Sequence, residues 1–249
     1  MITRKSREEL KLMRHAGSIV ALVHQEMKKA VCEGISTYEL DQIASKIIRD
    51  NKAIPTFLNY HGYPASICTS VNEQVVHGIP SKDIVLQAGD IISIDVGATY
   101  RGLVGDSAWT YPVGEISQDK KMLLETTEKA LMAGVSRMIS GNLLEEVSAA
   151  VEDVALSKGL GIVRQYGGHG VGRNMHEDPF VFNYRTGNKT VLKSGMTIAI
   201  EPMLNLGKDD VYVLDDDWTV VTADDMASAH FEHTVLVGDD GPEILTKLS

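Results

Sequence analysis

A repeated pair of amphipathic helices, each pair joined through a glycine, constrains the fold of this chain most strongly. Residues 6–31 carry apolar side chains at helical spacing, Gly34 follows, and Ser36 opens a second helix that ends near Lys52. Glu39 stands three residues after Ser36 and completes a capping box. Each helix therefore has one apolar face that must be buried against another layer.

The same arrangement returns in the second half of the chain. Residues 118–139 form a long helical pattern, Gly141 stops it, and Asn142 is predicted to cap a further helix with Glu145 three residues later. The two glycines are 107 residues apart. Each helix pair is followed by segments with strand character. Strands are predicted at residues 67–71, 91–97, 103–111, 162–166, 197–201, 211–214, 218–222 and 229–236.

This order of elements predicts an α+β fold, with helices packed on a mainly antiparallel sheet. The repeat suggests two similar halves, about 1–113 and 114–249, within a single domain. Residue identity between the halves is slight, so the repeat is visible in the order of helices and strands more than in matching residues.

Composition excludes several classes of function. The chain has 249 residues, of which 43% are hydrophobic and 23% charged, as in ordinary globular proteins. Its net charge of −10 argues against nucleic acid or an anionic membrane as a main partner. The two cysteines, Cys32 and Cys68, are too few for a disulfide framework. The sequence has neither a secretory leader pattern nor an apolar run of membrane-spanning length, so we expect a cytoplasmic protein.

Two acidic residues flank a predicted hairpin. If the strands pair about a turn centred on Tyr100 and Arg101, then Asp95 lies directly opposite Asp106 on the same face, with Cβ atoms about 5 Å apart. Carboxylates at that separation repel each other unless a cation lies between them. Taken alone, the pair favours exposed acids beside a turn over a metal site.

Three further residues strengthen the case for a cation. His169 lies among glycines, where the backbone can approach a ligand closely. Glu201 follows an apolar run and precedes a proline, and Glu232 lies inside a β-branched segment. Acids in such apolar surroundings are rarely buried without partners. The set of four carboxylates and one imidazole, without a thiolate, suits two divalent ions such as Mn, Fe(II), Co or Zn.

The chain resembles the methionine aminopeptidases of type I, metallopeptidases with the pita-bread fold. The resemblance extends over essentially the whole sequence. It is carried by the segments Ser70–Pro80, Ile94–Asp95 to Gly105–Asp106, Gly168–Gly172 with His176–Pro179, Ala199–Pro202 and Glu232–Thr234. Glu201 and Glu232 are only 31 residues apart, which leaves no room for the helical insertion of type II enzymes.

The resemblance implies a role for each candidate residue. Asp106 and Glu232 would bridge two metals, Asp95 would chelate one, and His169 and Glu201 would bind the other. A hydroxide bridging the metals would attack the first peptide bond of the substrate. Glu201 would also shuttle the proton to the leaving amine. The catalytic and substrate-contacting histidines would be His77 and His176, which are not metal ligands.

The resemblance also implies a pocket for the methionine side chain. Its apolar and polarizable lining would suit an unbranched thioether. The residues that would line it are Phe57, Tyr60, Tyr63, Cys68, Met175 and Trp218. The sequence departs from related enzymes at four positions. Phe57 and Met175 stand where bacterial relatives carry Cys and Phe, Gly97 where many carry Thr or Ser, and His230 where Gln is usual.

The expected function is removal of the initiator methionine from nascent proteins and peptides when the second residue is small. The expected partners are the N-terminal Met of the substrate and, as a further contact, the ribosome; a monomer is expected. Xaa-Pro aminopeptidases or dipeptidases share all five ligands and stay an alternative. So do non-catalytic pita-bread binding proteins and metal-free hydrolases of the creatinase kind, although these lack the complete ligand set.

Overall fold

The computed structural model describes residues 2–248. Its two helix pairs lie where the sequence predicts them, except that the first helix of the second pair ends at Val135 and not at residue 139 beside Gly141. The helices are α1 (Arg7–Ala30), α2 (Thr37–Asp50), α3 (Gln118–Val135) and α4 (Leu144–Leu156). Gly34 and Gly141, between the members of each pair, have φ angles of 88° and 98°, which glycine adopts without strain. The predicted capping box is confirmed, since the Ser36 side chain accepts from the Glu39 N–H while the Glu39 carboxylate accepts from the Ser36 N–H.

The predicted start of α4 is wrong by one residue. Leu143, rather than Asn142, is the N-cap residue, and its N–H donates to Glu146 at 3.0 Å. Glu145 is instead recruited by a distant loop, where it accepts from the N–H groups of Gly187 and Asn188. Because Glu145 and Glu146 are adjacent, either could have formed the cap, with Asn142 or Leu143 as the N-cap residue. The distant loop binds Glu145, and the cap forms with Glu146.

Residues 2–248 contain fifteen strands, and every pairing between these strands is antiparallel. They are β1 (Ile54–Pro55), β2 (Ile67–Val71), β3 (Gln74–Val76), β4 (Ile91–Tyr100), β5 (Leu103–Pro112), β6 (Gly161–Ile162), β7 (Gly168–Gly170), β8 (Glu177–Val181), β9 (Thr197–Ile200), β10 (Met203–Asn205), β11 (Val211–Val213), β12 (Val220–Thr222), β13 (Ser228–His230), β14 (His233–Leu236) and β15 (Glu243–Ile244). The predicted α+β class with antiparallel pairing is confirmed.

The strands group by hydrogen bonding into four sheets. These are β1, β2, β4 and β5; β6, β10 and β13; β3, β11 and β12; and β7, β8, β9, β14 and β15. Helices cover the sheets in each half. The face of α1 with Ile19 and Val23 packs into one core with Ile94 of β4, while Val147 of α4 packs into a second core with Ile198 of β9. The helix layer and the sheet layer thus bury each other's apolar faces, as the helix pattern predicts.

The hairpin of β4 and β5 has a different register from the predicted one. Asp106 lies opposite Gly97, and Asp95 lies opposite Ala108. The turn residues are Arg101 and Gly102, with φ angles of 48° and 81°. A two-residue hairpin turn favours positive φ at both positions and glycine at the second, which selects this turn over the predicted one. The register moves by two residues, so both aspartates still point to the same face.

The predicted strand at 229–236 is split in two. β13 ends at His230 and β14 begins at His233, so Glu232 lies in the break and not inside a strand. The Glu232 N–H donates to the carbonyl of Ala108 in β5 at 2.8 Å. This bond to another sheet replaces the ladder bond that the continuous pattern predicted. The predicted strand at 162–166 is also shorter, since β6 ends at Ile162.

Within residues 2–248, no helix is both long enough and apolar enough to cross a membrane.

Candidate metal centre

The five predicted ligands come from separate elements and reach one cavity of about 620 Å³. Asp95 is carried by β4, Asp106 by β5 and His169 by β7. Glu201 directly follows β9, and Glu232 directly precedes β14. The structure therefore brings together side chains that are as far apart as 95 and 232 in the sequence.

The centre of the cluster is His169. Its Nε2 lies 3.6 Å from Asp106 Oδ2 and 3.4 Å from Glu201 Oε1. One ligand atom from each of Asp106, His169 and Glu232 can be chosen so that all three lie within 4.8 Å of one another. The His169 Nδ1 lies 2.9 Å from the carbonyl of Gly170, which can only accept. The ring proton is thereby held on Nδ1 in the neutral imidazole, and the Nε2 lone pair faces the carboxylates, as metal-binding histidines require.

Several carboxylate oxygens in the cluster have no hydrogen-bond partner in the described part of the chain. They are Asp95 Oδ1, Asp106 Oδ1 and Glu232 Oε1, and each is fully buried. A buried polar atom without a partner is costly, and a carboxylate more so. Divalent cations bind such oxygens directly, so the residues present fit a metal centre.

Electrostatics point the same way. The pKa of Asp95 is raised well above its ordinary value, first by burial and then by the charges of Asp106 and Glu201. The pKa of Glu232 is also raised well above its ordinary value, by burial and by the same two carboxylates. Burial lowers the pKa of His169, but the nearby carboxylates of Asp106 and Glu201 outweigh it and raise this pKa to about 9. The cluster has an excess of negative charge that a cation would neutralise.

The two predicted non-ligand histidines line the same cavity. His176 Nδ1 lies 2.8 Å from the Tyr60 hydroxyl, and its ring centroid lies 4.3 Å from that of His169. The His77 ring packs edge-on against Tyr166. Burial lowers the pKa of His77 and of His176 to about 4, with the neighbouring histidines adding to the effect. Both side chains are therefore neutral near pH 7.

Another part of the cavity lining is largely apolar. It contains the whole predicted pocket: Phe57, Tyr60, Tyr63, Cys68, Met175 and Trp218. The Tyr63 ring meets the Trp218 ring edge-on at 5.0 Å between centroids, and its hydroxyl donates to the carbonyl of Gly78. The aromatic wall is thus held rigidly beside the polar cluster.

Two of the sequence departures prove to be neighbours. A Cβ atom added to Gly97 would lie 2.7 Å from Cε1 of Phe57 and 3.0 Å from Cβ of Thr56. The Phe57 ring therefore fills the space into which a side chain at position 97 would point. The large residue at 57 and the absent side chain at 97 compensate each other.

Sequence reasoning missed part of the cavity lining. The additional residues include Val76, Gln165, Tyr166, Phe180 and Met203. Tyr166 and Val76 directly precede segments that carry predicted site residues, and that proximity could have identified them. Phe180 directly follows the segment His176–Pro179 and Met203 directly follows Ala199–Pro202, so the same proximity could have identified both.

Comparison with known proteins places this geometry in a family. The family model of metallopeptidase family M24 matches residues 11–239. Methionine aminopeptidase 1 of Bacillus subtilis is 51% identical over 249 residues, which cover 100% of both chains. The methionine aminopeptidase of Escherichia coli is 40% identical, covering 98% of this chain and 94% of that protein.

Solved structures agree. The crystal structure of methionine aminopeptidase from Thermotoga maritima superimposes with a TM-score of 0.98 at 43% identity, covering 100% of both chains. The prolidase of Pyrococcus furiosus shares the fold, with a TM-score of 0.80 at 23% identity, but this chain covers only 66% of it. The chain therefore belongs to metallopeptidase family M24, and within that family to the methionine aminopeptidases.

Proposed function

We propose that this protein is a dimetal aminopeptidase that removes the N-terminal methionine from nascent proteins and peptides in the cytoplasm. The observation that carries the proposal is the pairing, in one cavity, of a buried carboxylate–imidazole cluster with an aromatic and thioether-lined wall. The first suits hydrolysis, and the second suits an unbranched sulfur-containing side chain. The high identity to methionine aminopeptidases over the full chain supports the same activity.

The metal ligands in this proposal are Asp95, Asp106, His169, Glu201 and Glu232. Four carboxylates balance the charge of two divalent cations, which favours two ions over one. Such ions polarise a peptide carbonyl and lower the pKa of water, so that hydrolysis proceeds near neutral pH. Because the ligands come from both halves of the chain, about 1–113 and 114–249, the two halves act as a single catalytic domain.

Proton transfer is assigned to Glu201. Its carboxylate lies at the edge of the cluster, where it can take the proton from the attacking water and pass it to the leaving amine. His176 is placed to stabilise the oxyanion. Since the Tyr60 hydroxyl can donate to Nδ1 of the neutral His176, the Nε2–H remains free to donate to the substrate carbonyl. His77, on the cavity wall, contacts the amide side of the same bond.

In this proposal the substrate is selected by the side chains that line the cavity. The thioether lies against the aromatic edges of Tyr63 and Trp218, with Phe57 and Met175 closing the pocket. The substrate's free α-amine lies near Asp95, which restricts attack to the first peptide bond. The proposal also includes three further points. The second residue of the substrate is small, the enzyme is a monomer, and it contacts the ribosome.

The test is release of free methionine from a Met-Ala-Ser peptide, measured beside cleavage of an Xaa-Pro peptide. The protein is stripped with a chelator and reloaded separately with Mn, Fe(II), Co and Zn. We expect metal-dependent release of methionine and no cleavage of the Xaa-Pro peptide. Cleavage of the Xaa-Pro peptide alone would reassign the activity, and no cleavage with any metal would refute the enzyme.

Glu201→Ala and Asp106→Ala are the matched variants. Both should fold, as judged by circular dichroism, and both should lose turnover. Near-normal methionine release by either variant would contradict the dimetal model.

A further inference from the structure

An imidazole that is not among the five proposed ligands lies beside the metal centre. His230 closes β13, where it pairs with Met203 of β10, and its side chain lines the cavity. The residue is 1% exposed. A histidine buried so completely normally uses both ring nitrogens in hydrogen bonds.

The Nε2 atom of His230 is an exception to this pattern. It is buried and has no hydrogen-bond partner in residues 2–248. Glu201 Oε2 lies 3.5 Å from it, beyond the usual 2.7–3.2 Å range of an N–H···O bond. The other oxygen of Glu201 faces Nε2 of His169 at 3.4 Å. The carboxylate of Glu201 thus has one imidazole nitrogen on each side.

The backbone of His230 is held firmly. Its N–H donates to Thr110 Oγ1 at 2.9 Å, and Thr110 Oγ1 donates to its carbonyl at 2.9 Å. The Thr110 hydroxyl is in turn 2.8 Å from the Ser93 hydroxyl. These contacts fix the end of β13, from which the imidazole projects. Movement of the backbone therefore does not bring Nε2 to another hydrogen-bond partner.

We propose that His230 is a sixth ligand of the metal centre, binding through Nε2 next to Glu201. A cation at this point would satisfy the unpartnered nitrogen and the flanking carboxylate together. The inference rests on the metal centre of the proposed function and extends its ligand set. A second imidazole shifts the preference of the site from Mn²⁺, which favours oxygen ligands, toward Zn²⁺, Co²⁺ and Fe²⁺.

The decisive experiment is NMR of the full chain carrying isotope-labelled histidine and loaded with an NMR-active cadmium isotope. Direct coordination produces scalar coupling between cadmium and the bound nitrogen. We expect coupling to two histidines in the wild type and to one in His230→Gln. Coupling to His169 alone in the wild type would overturn the proposal and assign His230 only a hydrogen bond to Glu201. His15→Gln, in the exposed part of α1, is the control and should leave both couplings in place.

Metal affinity provides an independent readout. His230→Gln should raise the Kd for Zn²⁺ by about tenfold or more while changing the Kd for Mn²⁺ less. Equal changes for both ions would contradict a nitrogen ligand. Failure of the protein to bind any metal would refute the metal centre itself. Metal-dependent methionine release with coupling to a single histidine would refute only the role of His230.

Discussion

Thr234 holds both backbone groups of Asp106. Its hydroxyl accepts from the Asp106 N–H at 3.1 Å and donates to the Asp106 carbonyl at 2.8 Å. Thr234 is fully buried in β14, so a side chain from one sheet fixes the position of a carboxylate that belongs to another. This contact sets the separation between Asp106 and the neighbouring Glu232.

Thr234→Val should therefore damage both stability and the metal centre. Valine keeps the shape but leaves two buried backbone groups without partners, at a cost of about 2 kcal/mol in the free energy of unfolding. We expect a roughly tenfold loss of metal affinity as Asp106 shifts. Urea unfolding and metal titration measure the two effects. Thr234→Ser, which keeps the hydroxyl, should retain most of both properties; equal loss in the two variants would contradict the assigned role.

Glu232→Gln should stabilise the metal-free protein while weakening metal binding. The raised pKa of Glu232 shows that burial and the nearby Asp106 disfavour its charged form. Removing that charge should raise the free energy of unfolding in chelator by about 0.5–2 kcal/mol. Thermal unfolding with and without metal is the measurement. The wild type should gain more from added metal than the variant, and a variant less stable than wild type in chelator would refute this account.

Gly97 and Phe57 should show strong coupling in a double-mutant cycle. Gly97→Thr alone forces a methyl-bearing side chain against the Phe57 ring, with an overpacking cost of about 1–3 kcal/mol. Phe57→Cys vacates that space, so the double variant should be more stable than the sum of the single effects predicts, by about 1 kcal/mol. Additive effects in urea unfolding would show that the two positions do not compensate.

The loop that carries Met175 and His176 is anchored by a buried ion pair. Lys5 Nζ lies 2.7 Å from Glu177 Oε2, and the side chains are only 4% and 10% exposed. The other oxygen of Glu177 accepts from the N–H of Arg173 at 2.9 Å. The N-terminal segment and the loop are thus fixed to each other next to the active cavity.

Lys5→Met should destabilise the protein by about 3 kcal/mol, because it leaves Glu177 without its cation. The KM for methionyl peptides should rise as the loop loosens. Adding Glu177→Gln should recover part of the stability. Lys11→Met is the control, since Lys11 pairs with Glu8 on the exposed surface and such pairs contribute little. A similar loss in the control would undermine the argument.

Stability should fall in mild acid, and His24 is one of the groups responsible. Its Nε2 lies 2.9 Å from the carbonyl of Ser107 and its Nδ1 lies 2.8 Å from the Tyr111 hydroxyl, an arrangement that fits the neutral ring with the proton on Nε2. Burial lowers the pKa of His24 to about 4. The unfolded chain, with an ordinary pKa near 6.5, binds the proton first. His24 therefore lowers the free energy of unfolding progressively as the pH falls from about 6.5 to about 4, by an amount on the order of 3 kcal/mol.

His24→Gln provides the matched comparison. Its amide can still donate to Ser107, but it does not titrate. Unfolding in urea with chelator, repeated between pH 7 and pH 5, should show a shallower decline for the variant. Parallel pH profiles would rule out His24 as the source.

Local signals predicted the helices well, and long-range contacts caused the errors. The capping box of Ser36 and Glu39 depends on residues three apart, so the sequence alone defines it. The cap of α4 depended on which of Glu145 and Glu146 a remote loop would recruit. The hairpin register could have been corrected locally, because Gly102 at the second turn position is itself a turn signal.

The sequence predicted side chains that gather in one cavity, but their arrangement could not be predicted. Asp95 and Asp106 reach the same face in the predicted and the observed register, since a shift of two residues preserves the face. The break at Glu232 depends on its bond to Ala108, which belongs to another sheet. The contact between Phe57 and Gly97 and the unpartnered nitrogen of His230 arise only from tertiary packing.

The origin of the ligands in distant parts of the chain has a consequence for folding. Asp95 and Asp106 come from one sheet, while His169, Glu201 and Glu232 come from the strands of the second half. The two cations that these five residues are proposed to hold would link the two halves of the chain non-covalently, and this link is absent from the unfolded ensemble. Metal concentration would then set the free energy of unfolding as well as catalytic competence, adding about 2.7 kcal/mol when the free ion reaches 100 times its Kd.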